Sequence, residues 1–418
     1  MDHGSTFILL AAVLGFFMAW GIGANDVANA MGTSVGSKAL TFLKATIVAA
    51  IFEAGGAILA GGQVTNTIRN DIINPALLAH TPNLLIYGML ASLLAAGVWL
   101  LYATYKGLPV STTHTIVGAI VGFAAINLGT HVIHWHVVTN IVLSWILTPF
   151  IAGLIAYMIF VSIQHLIFNT DNPFKNAKKF LPFYAALLAF IVSMVTLREG
   201  LAHVNFIHFN FQQDVFIALG LSVIATLLVR FCIRNIEADP SKDKVFMFAS
   251  VERVFAFLQI CSACAVAFAH GSNDVANAIG PLASVISTVK YGAVISNVAL
   301  EPWVLYLGAA GIVLGLATMG YKVIATVGTH ITELTPSRGF AAELSTAATV
   351  VLASGFGLPV STTQTLVGAI LGVGFARGIA ALNMQTIRSI FMSWVITLPA
   401  GAILAVIFFT IIRWIFGG

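Results

Sequence analysis

Two near-identical stretches carry the residues of this chain best suited to chemistry. Gly23-Ala-Asn-Asp-Val-Ala-Asn-Ala-Met-Gly32 returns as Gly271-Ser-Asn-Asp-Val-Ala-Asn-Ala-Ile-Gly280. Each sets Asn, Asp and Asn (Asn25, Asp26, Asn29; Asn273, Asp274, Asn277) among apolar neighbours. A carboxylate at membrane depth costs about 2.5–3.5 kcal/mol on insertion scales, so it marks a functional site by default. Carboxylate and amide oxygens suit a hard cation, and amide N–H groups suit an anion. The bland alternative is a buried Asp held by backbone amides.

A second pair of stretches supplies the complementary chemistry. Pro109-Val-Ser-Thr-Thr recurs as Pro359-Val-Ser-Thr-Thr, each preceded by Gly-Leu. Pro favours the first turn of a helix, and Ser and Thr satisfy its free N–H groups. The pattern reads as a helix that starts inside the membrane after a break. Such an N-terminus presents N–H donors and partial positive charge to an anion. The hydroxyls of Ser111, Thr112, Thr113, Ser361, Thr362 and Thr363 would add donors, the alternative being simple capping. Asp26 and Asp274 repel an anion unless a monovalent cation intervenes, or a proton is shared with an oxyanion that is itself protonated near neutral pH. No basic residue lies in either motif, so binding would rest on helix ends and hydroxyls. Gly21, Gly23, Gly32, Gly107, Gly271, Gly280 and Gly357 are expected to permit helix breaks and unwound backbone.

The elements that must position these residues are membrane helices. Charged residues are 8% and apolar residues 59%, against about 25% charge in soluble domains. This composition implies an all-α polytopic membrane protein, and the scattered net charge of +4 gives no basic face for nucleic acid. Apolar runs long enough to span, or nearly so, fall near 6–22, 40–62, 83–104, 109–126, 137–167, 181–197, 213–233, 249–270, 303–328, 339–356, 359–376 and 385–415. The first is read as a retained span, since Asp2 precedes it and no cleavage region follows. With twelve crossings and an external N-terminus, only Arg69, Arg198, Lys290 and Arg413 of the 19 Lys and Arg are external. That bias puts both termini on the extracytoplasmic side of the inner (plasma) membrane.

The repeat extends along each half. Ser144-Trp-Ile-Leu-Thr-Pro returns as Ser393-Trp-Val-Ile-Thr-Leu-Pro, and the offsets of the three motifs are 248, 250 and 249 residues. Residues 1–168 form a first repeat, 169–245 middle spans and a cytoplasmic linker, and 246–418 a second repeat. Seven runs precede the span that ends at the second Asn-Asp motif, so the copies face opposite ways. Inverted repeats with interrupted helices are the signature of secondary transporters, with the site near the midplane. There is no His-Glu-x-x-His and no phosphate loop, so an enzyme and an ATP-driven pump are both disfavoured.

Lesser signals divide between function and structure. Glu53 and Glu343 are intramembrane carboxylates suited to cation binding or to tying helices together. His114 adjoins Thr113 and suits phosphate contact or proton relay. His270 precedes the second motif, but its counterpart is Ile22, which argues against a symmetric role. His131, His134 and His136 read as an interfacial polar loop, and Arg198, Glu199 and His203 as interface anchors. Cys261 and Cys264 read as small packing residues.

The paired motifs, each present twice, resemble the inorganic phosphate transporter family over nearly the whole chain. The resemblance implies import of inorganic phosphate by cation symport, Na⁺ favoured and H⁺ possible, through alternating access by what is commonly a homodimer. It implies no cofactor. Phosphate contacts are expected at Asn25, Asp26, Ser111, Thr112, Thr113, Asn273, Asp274, Ser361, Thr362 and Thr363. Cation contacts are expected at Asp26, Asn29, Asp274 and Asn277, with Glu53 and Glu343 matching the family's intramembrane glutamates. One departure is visible: His114 is matched by Gln364, where the family more usually has His. A carrier for sulfate or another oxyanion, and an anion channel, are the alternatives.

Overall fold

The computed structural model describes residues 3–78, 81–197, 210–234, 244–294, 298–329 and 331–417. Fourteen α-helices account for most of them: α1 (Gly4–Gly36), α2 (Phe42–Ala60), α3 (Gly62–Asn66), α4 (Pro82–Tyr105), α5 (Thr112–Phe123), α6 (Trp135–Ile163), α7 (Pro173–Val195), α8 (Phe211–Arg234), α9 (Lys244–Tyr291), α10 (Pro302–Met319), α11 (Tyr321–Thr329), α12 (Pro336–Gly355), α13 (Thr362–Arg377) and α14 (Met384–Phe416). A bilayer core offers the backbone no water, so spanning segments satisfy it internally as helix. Nine of the described helices are long and apolar enough to cross. Each of the twelve apolar runs falls largely on helix; the runs at 109–126, 339–356 and 359–376, on α5, α12 and α13, are the ones that hold none of the nine. Phe150, Phe231 and Val395 point outward from α6, α8 and α14, as a lipid-facing surface requires.

The Asn-Asp motifs lie in unbroken helix, contrary to the expectation of unwound backbone. The first sits inside the 33 residues of α1 and the second inside the 48 of α9. Their glycines serve close packing instead. A Cβ on Gly23 would fall on the carbonyl oxygen of Ile312 in α10, and one on Gly271 on that of Glu53 in α2. Gly315 meets the Trp20 carbonyl and Gly56 the Phe268 carbonyl in the same way. The α1/α10 and α9/α2 crossings are thus backbone-to-backbone contacts that only small residues allow.

The breaks lie at the second motif. Leu108 N–H donates to Ala103 O (2.9 Å) and Gly107 N–H to Thr104 O (3.0 Å), with Gly107 at φ 66°. Leu358, Gly357, Ala353 and Ser354 repeat the arrangement at 3.1 and 2.8 Å, with Gly357 at φ 69°. This is a helix stop closed by a left-handed glycine. The stretch Gly-Leu-Pro-Val-Ser then ends at a fresh N-cap, so stop and start are written back to back.

Two hairpins result, α4–α5 and α12–α13. The first enters and leaves at one end, where Asn74 N–H donates to Val132 O (2.8 Å) and His134 N–H to Ile72 O (3.0 Å). The described ends of α1 and α14 lie there too: Tyr87 Oη donates to Phe416 O, and the Phe7 and Phe416 rings are 5.2 Å apart. The second hairpin is closed by Asn383 N–H to Ile331 O (3.0 Å) and begins beside Glu252, in the first turns of α9. α1 and α9 are antiparallel, with Gly4 against Val289 and Ser37 bonded to Gln259. The hairpins therefore enter from opposite ends and meet tip to tip. Thr113 Oγ1 donates to Val360 O (2.9 Å) and Thr363 Oγ1 to Val110 O (3.1 Å). Outside this arrangement, α7 and part of α9 pack on α12 through Tyr184, Phe255 and Phe340. Arg198, Glu199, His203 and residues 235–243 of the central loop lie outside the described residues.

Candidate functional site

The hairpin tips and the two Asn-Asp motifs converge on one buried cluster, every member of which is at most 2% exposed. The spacing explains the convergence. Residues 25, 26 and 29 lie within one turn of α1, and 273, 274 and 277 within one turn of α9.

The first Asn of each motif holds a hairpin. Asn25 Nδ2 donates to Leu108 O (3.0 Å) and Thr104 Oγ1 (3.1 Å), and its Oδ1 accepts from Val110 N–H (3.1 Å). Asn273 contacts Ser354 Oγ at 2.8 Å in either amide orientation. In this structure the hydrogen-bonding groups of Asn25 are engaged with its hairpin tip, and Asn273 is bonded to Ser354 of the other. Thr104 and Ser354, which the motifs do not include, are their partners.

The remaining residues bond across the halves. Asn29 Nδ2 donates to Thr363 Oγ1 (2.8 Å) and Asp26 Oδ1 (3.1 Å), and Asn277 Nδ2 to Thr113 Oγ1 (3.1 Å) and Thr112 Oγ1 (3.3 Å). Thr362 Oγ1 donates to Asp274 Oδ2 (2.6 Å), and Thr363 Oγ1 also approaches Asp26 Oδ1 (3.2 Å). Each Asn-Asp motif therefore faces the Thr-Thr pair of at least the opposite half. Ser111 and Ser361 cap their own helices, accepting from His114 N–H (3.1 Å) and Gln364 N–H (3.2 Å). The N-terminal turns of α5 and α13, with their partial positive charge, end on this cluster.

His270 stands at its centre. Its Nε2 lies 3.0 Å from Asp274 Oδ2 and 3.7 Å from Asp26 Oδ2, and its Nδ1 lies 3.4 Å from Glu53 Oε1. Asp26, His270 and Asp274 are the one group of three among the described residues spaced to hold a metal ion. Asp26 Oδ2, both Glu53 oxygens, both His270 nitrogens and Asn277 Oδ1 are buried without a well-formed hydrogen bond. The cluster thus concentrates three carboxylates, an imidazole and unsatisfied oxygens at one point. That is the donor set for a small cation, next to hydroxyls and helix N-termini suited to an oxyanion. Sequence reasoning underrated His270 because Ile22 occupies the matching place. The spacing of four between His270 and Asp274, one helical turn, was the available signal.

The two glutamates separate. Glu53 belongs to the cluster, whereas Glu343 lies about 10 Å further along α1, judged from the helical rise between residues 26 and 33. There it accepts from Thr33 Oγ1 (2.6 Å), Ser34 Oγ (2.7 Å), Ser262 Oγ (2.6 Å) and Gln259 Nε2 (3.1 Å). His114 is also elsewhere: its ring lies 3.8 Å from that of Trp145 and lines an apolar cavity. His134 bonds the Asp71 carbonyl at 2.9 Å. Cys261 and Cys264 are free thiols on α9.

Comparison with known proteins gives this geometry its context. A phosphate permease of Haemophilus influenzae, so named provisionally, is 54% identical over 416 residues, covering 99% of each chain. The chloroplastic inorganic phosphate transporter 2-1 of Arabidopsis thaliana is 40% identical over 427 residues, covering 97% of this chain and 71% of its own. A solved structure described as the sodium-dependent phosphate transporter superposes with a TM-score of 0.90 at 39% identity, covering 98% of this chain and all of that one. The family profile described as the phosphate transporter family matches residues 22–405. With the doubled motifs, the nearly all-helical fold of the described residues and these matches in agreement, the chain belongs to the phosphate transporter family.

Proposed function

We propose that this protein imports inorganic phosphate by symport with a cation, Na⁺ in the first instance. The observation that carries the reading is the meeting of two helix N-termini, each with a Thr-Thr pair, against Asp26 and Asp274 in a site closed from both ends. The hydroxyls of Thr112, Thr113, Thr362 and Thr363 and the helix N–H groups take the phosphate oxygens. Asp26, Asn29, Asp274 and Asn277 take the cation, which screens carboxylate from phosphate. The sodium-dependent structural neighbour supports Na⁺. His270 supports H⁺ as a second reading, because a protonated imidazole between Asp26 and Asp274 supplies the charge that a Na⁺ would bring.

Residues 1–168 and 246–418 act as inverted repeats flanking the 169–245 segment, in keeping with the antiparallel α1 and α9 and the reciprocal tip contacts. Alternating access follows if the hairpins part from one end at a time. The protein sits in the inner membrane with both termini extracytoplasmic and works as a homodimer. Neither sulfate carriage nor a channel is favoured by a particular contact, and the closed site suits a carrier better than a pore.

The test is uptake of ³²P-phosphate into proteoliposomes under imposed Na⁺ or pH gradients, for wild type and Asp26→Asn. Uptake that requires Na⁺ and collapses in the variant is the expected result. Uptake driven by the pH gradient alone makes the protein a proton symporter. Absence of uptake under both gradients overturns the substrate, and sulfate is tried next.

A further inference from the structure

A further repeat ties the two halves together. Gly61-x-x-Val64-x-x-Thr67 recurs as Gly320-x-x-Val323-x-x-Thr326. Matching members are 259 residues apart, against 248 to 250 for the other motifs, so the changed spacing hides the match. The glycine is the C-cap of α2 in one copy and of α10 in the other. The first copy forms α3 and the turn of π-helix after it (Thr67–Asp71), and the second forms α11. The two copies make the same contacts. A Cβ on Gly61 would fall 2.6 Å from Val275, and one on Gly320 2.5 Å from Val27. These valines directly follow Asp274 and Asp26. Thr67 Oγ1 then donates to Gly357 O (2.7 Å), and Thr326 Oγ1 to Gly107 O (2.9 Å). The acceptors are the left-handed glycines at the two helix stops. Past the threonines, Ile72 O accepts from His134 N–H and Ile331 O from Asn383 N–H, at the bases of the hairpins. Each segment therefore joins the Asn-Asp motif and hairpin tip of one half to the hairpin base of the other.

We propose that Thr67 and Thr326 are a matched pair of positioning residues, each seating the hairpin tip of the opposite half and so closing one end of the site. The inference rests on the alternating-access reading above. A threonine in an apolar helix commonly bonds back to its own helix, as Thr65 does to Gly61 O. Thr67 and Thr326 instead reach across more than 200 residues of sequence to another element. The carbonyl each one holds belongs to the glycine that sets the direction of Gly-Leu-Pro-Val-Ser. A hydroxyl there fixes where the Thr-Thr pair that follows stands against the Asn-Asp motif. The α3 segment runs from the tips toward the end where α1 begins, and α11 toward the end where α9 begins. Breaking one bond therefore frees one tip, toward one end, and leaves the other seated. The contact of each segment with Val275 or Val27 puts it in touch with the carboxylate motif as well as with the tip.

Amide hydrogen exchange reads local opening and needs neither phosphate nor a gradient. The experiment follows it by mass spectrometry on the full-length protein in nanodiscs. Thr67→Val keeps the shape of the side chain and removes the donor. It is expected to raise exchange roughly five-fold, the weight of one net hydrogen bond, over residues 353–361, and to leave 103–111 as in wild type. Thr326→Val gives the reverse pattern. Thr67→Ser, which keeps the hydroxyl and loses the methyl group, exchanges as wild type does. A rise at both tips in either valine variant, or at neither, overturns the proposal. So does a serine variant that behaves like the valine one, because a packing role needs the methyl group and a latch needs the hydroxyl. The phosphate assay fails separately: tip-specific exchange in a protein that takes up no phosphate overturns the substrate and leaves the two latches standing.

Discussion

At the residue scale, His270 decides the electrostatics of the site. Its imidazole lies within 4 Å of Asp26, Glu53 and Asp274, all at 1% exposure or less. His270→Ala leaves three carboxylates buried together, and breaking a buried ion pair costs about 3–5 kcal/mol. We expect a lowered thermal midpoint that Na⁺ partly restores by binding the native site. Unfolding followed in NaCl and in choline chloride checks this, and identical midpoints in wild type and variant would sink the ionic role. Glu343 presents a separate case. Its carboxylate accepts from three hydroxyls and an amide, and hydrogen bonds to a charged group contribute about 1.5–3 kcal/mol each. Glu343→Gln is expected to destabilise the protein by about that much, because an amide N–H₂ then faces hydroxyl donors. A matched melt with and without phosphate separates this from an effect on ligand binding. The motif residues themselves were legible as a site from their cost and their doubling. The division of labour between the first Asn, which holds a hairpin, and the second, which reaches the opposite Thr-Thr pair, was not, because both lie on the same turn.

At the element scale, the glycines separate into two physical roles that look alike in a sequence. Gly23 and Gly271 sit in unbroken helix where a neighbouring backbone occupies the place of a Cβ. Gly107 and Gly357 sit in left-handed conformation at helix stops. Gly23→Ala must push α1 off α10, and overpacking of this kind costs about 1–3 kcal/mol. Gly220→Ala, on α8 with open space around it, is expected to be neutral or to stabilise by up to about 1 kcal/mol through helix propensity. Thermal midpoints of the two variants, measured side by side, test the distinction; an equal response would mean that the crossing tolerates a methyl group. The hairpin tips were readable because Gly-Leu-Pro-Val-Ser joins a recognisable helix stop to a recognisable start. The continuous helix through each Asn-Asp motif was not, since a glycine that permits a bend and one that permits close packing are the same residue.

At the scale of the whole molecule, any path to the site must open between helices that are now latched. At one end Ser37 Oγ donates to Gln259 Oε1 (2.7 Å), close to the Glu343 network that joins α1, α9 and α12. A carrier that opens there must separate these elements. Ser37→Cys with Gln259→Cys, in a background lacking Cys232, Cys261 and Cys264, is expected to stop uptake on oxidation and regain it on reduction. Uptake unaffected by a cross-link formed in full would show that this end does not open by parting α1 from α9.

What the sequence determined by itself is local and periodic. Apolar length specified membrane helices, because a backbone in hydrocarbon has no other partner. The doubled motifs and their constant offset specified two related halves, and a costly carboxylate flanked by amides specified where to look. Tertiary structure alone decided which polar groups meet. Asn29 reaches Thr363 and Asn277 reaches Thr113 across more than 160 residues, and His270 and Glu53 join one carboxylate cluster while Glu343 and His114 leave it. The physical reason is that a helix records only which residues share its face. Which face meets which is set by how closely two backbones can approach, and that depends on the glycines and carbonyls of both partners at once.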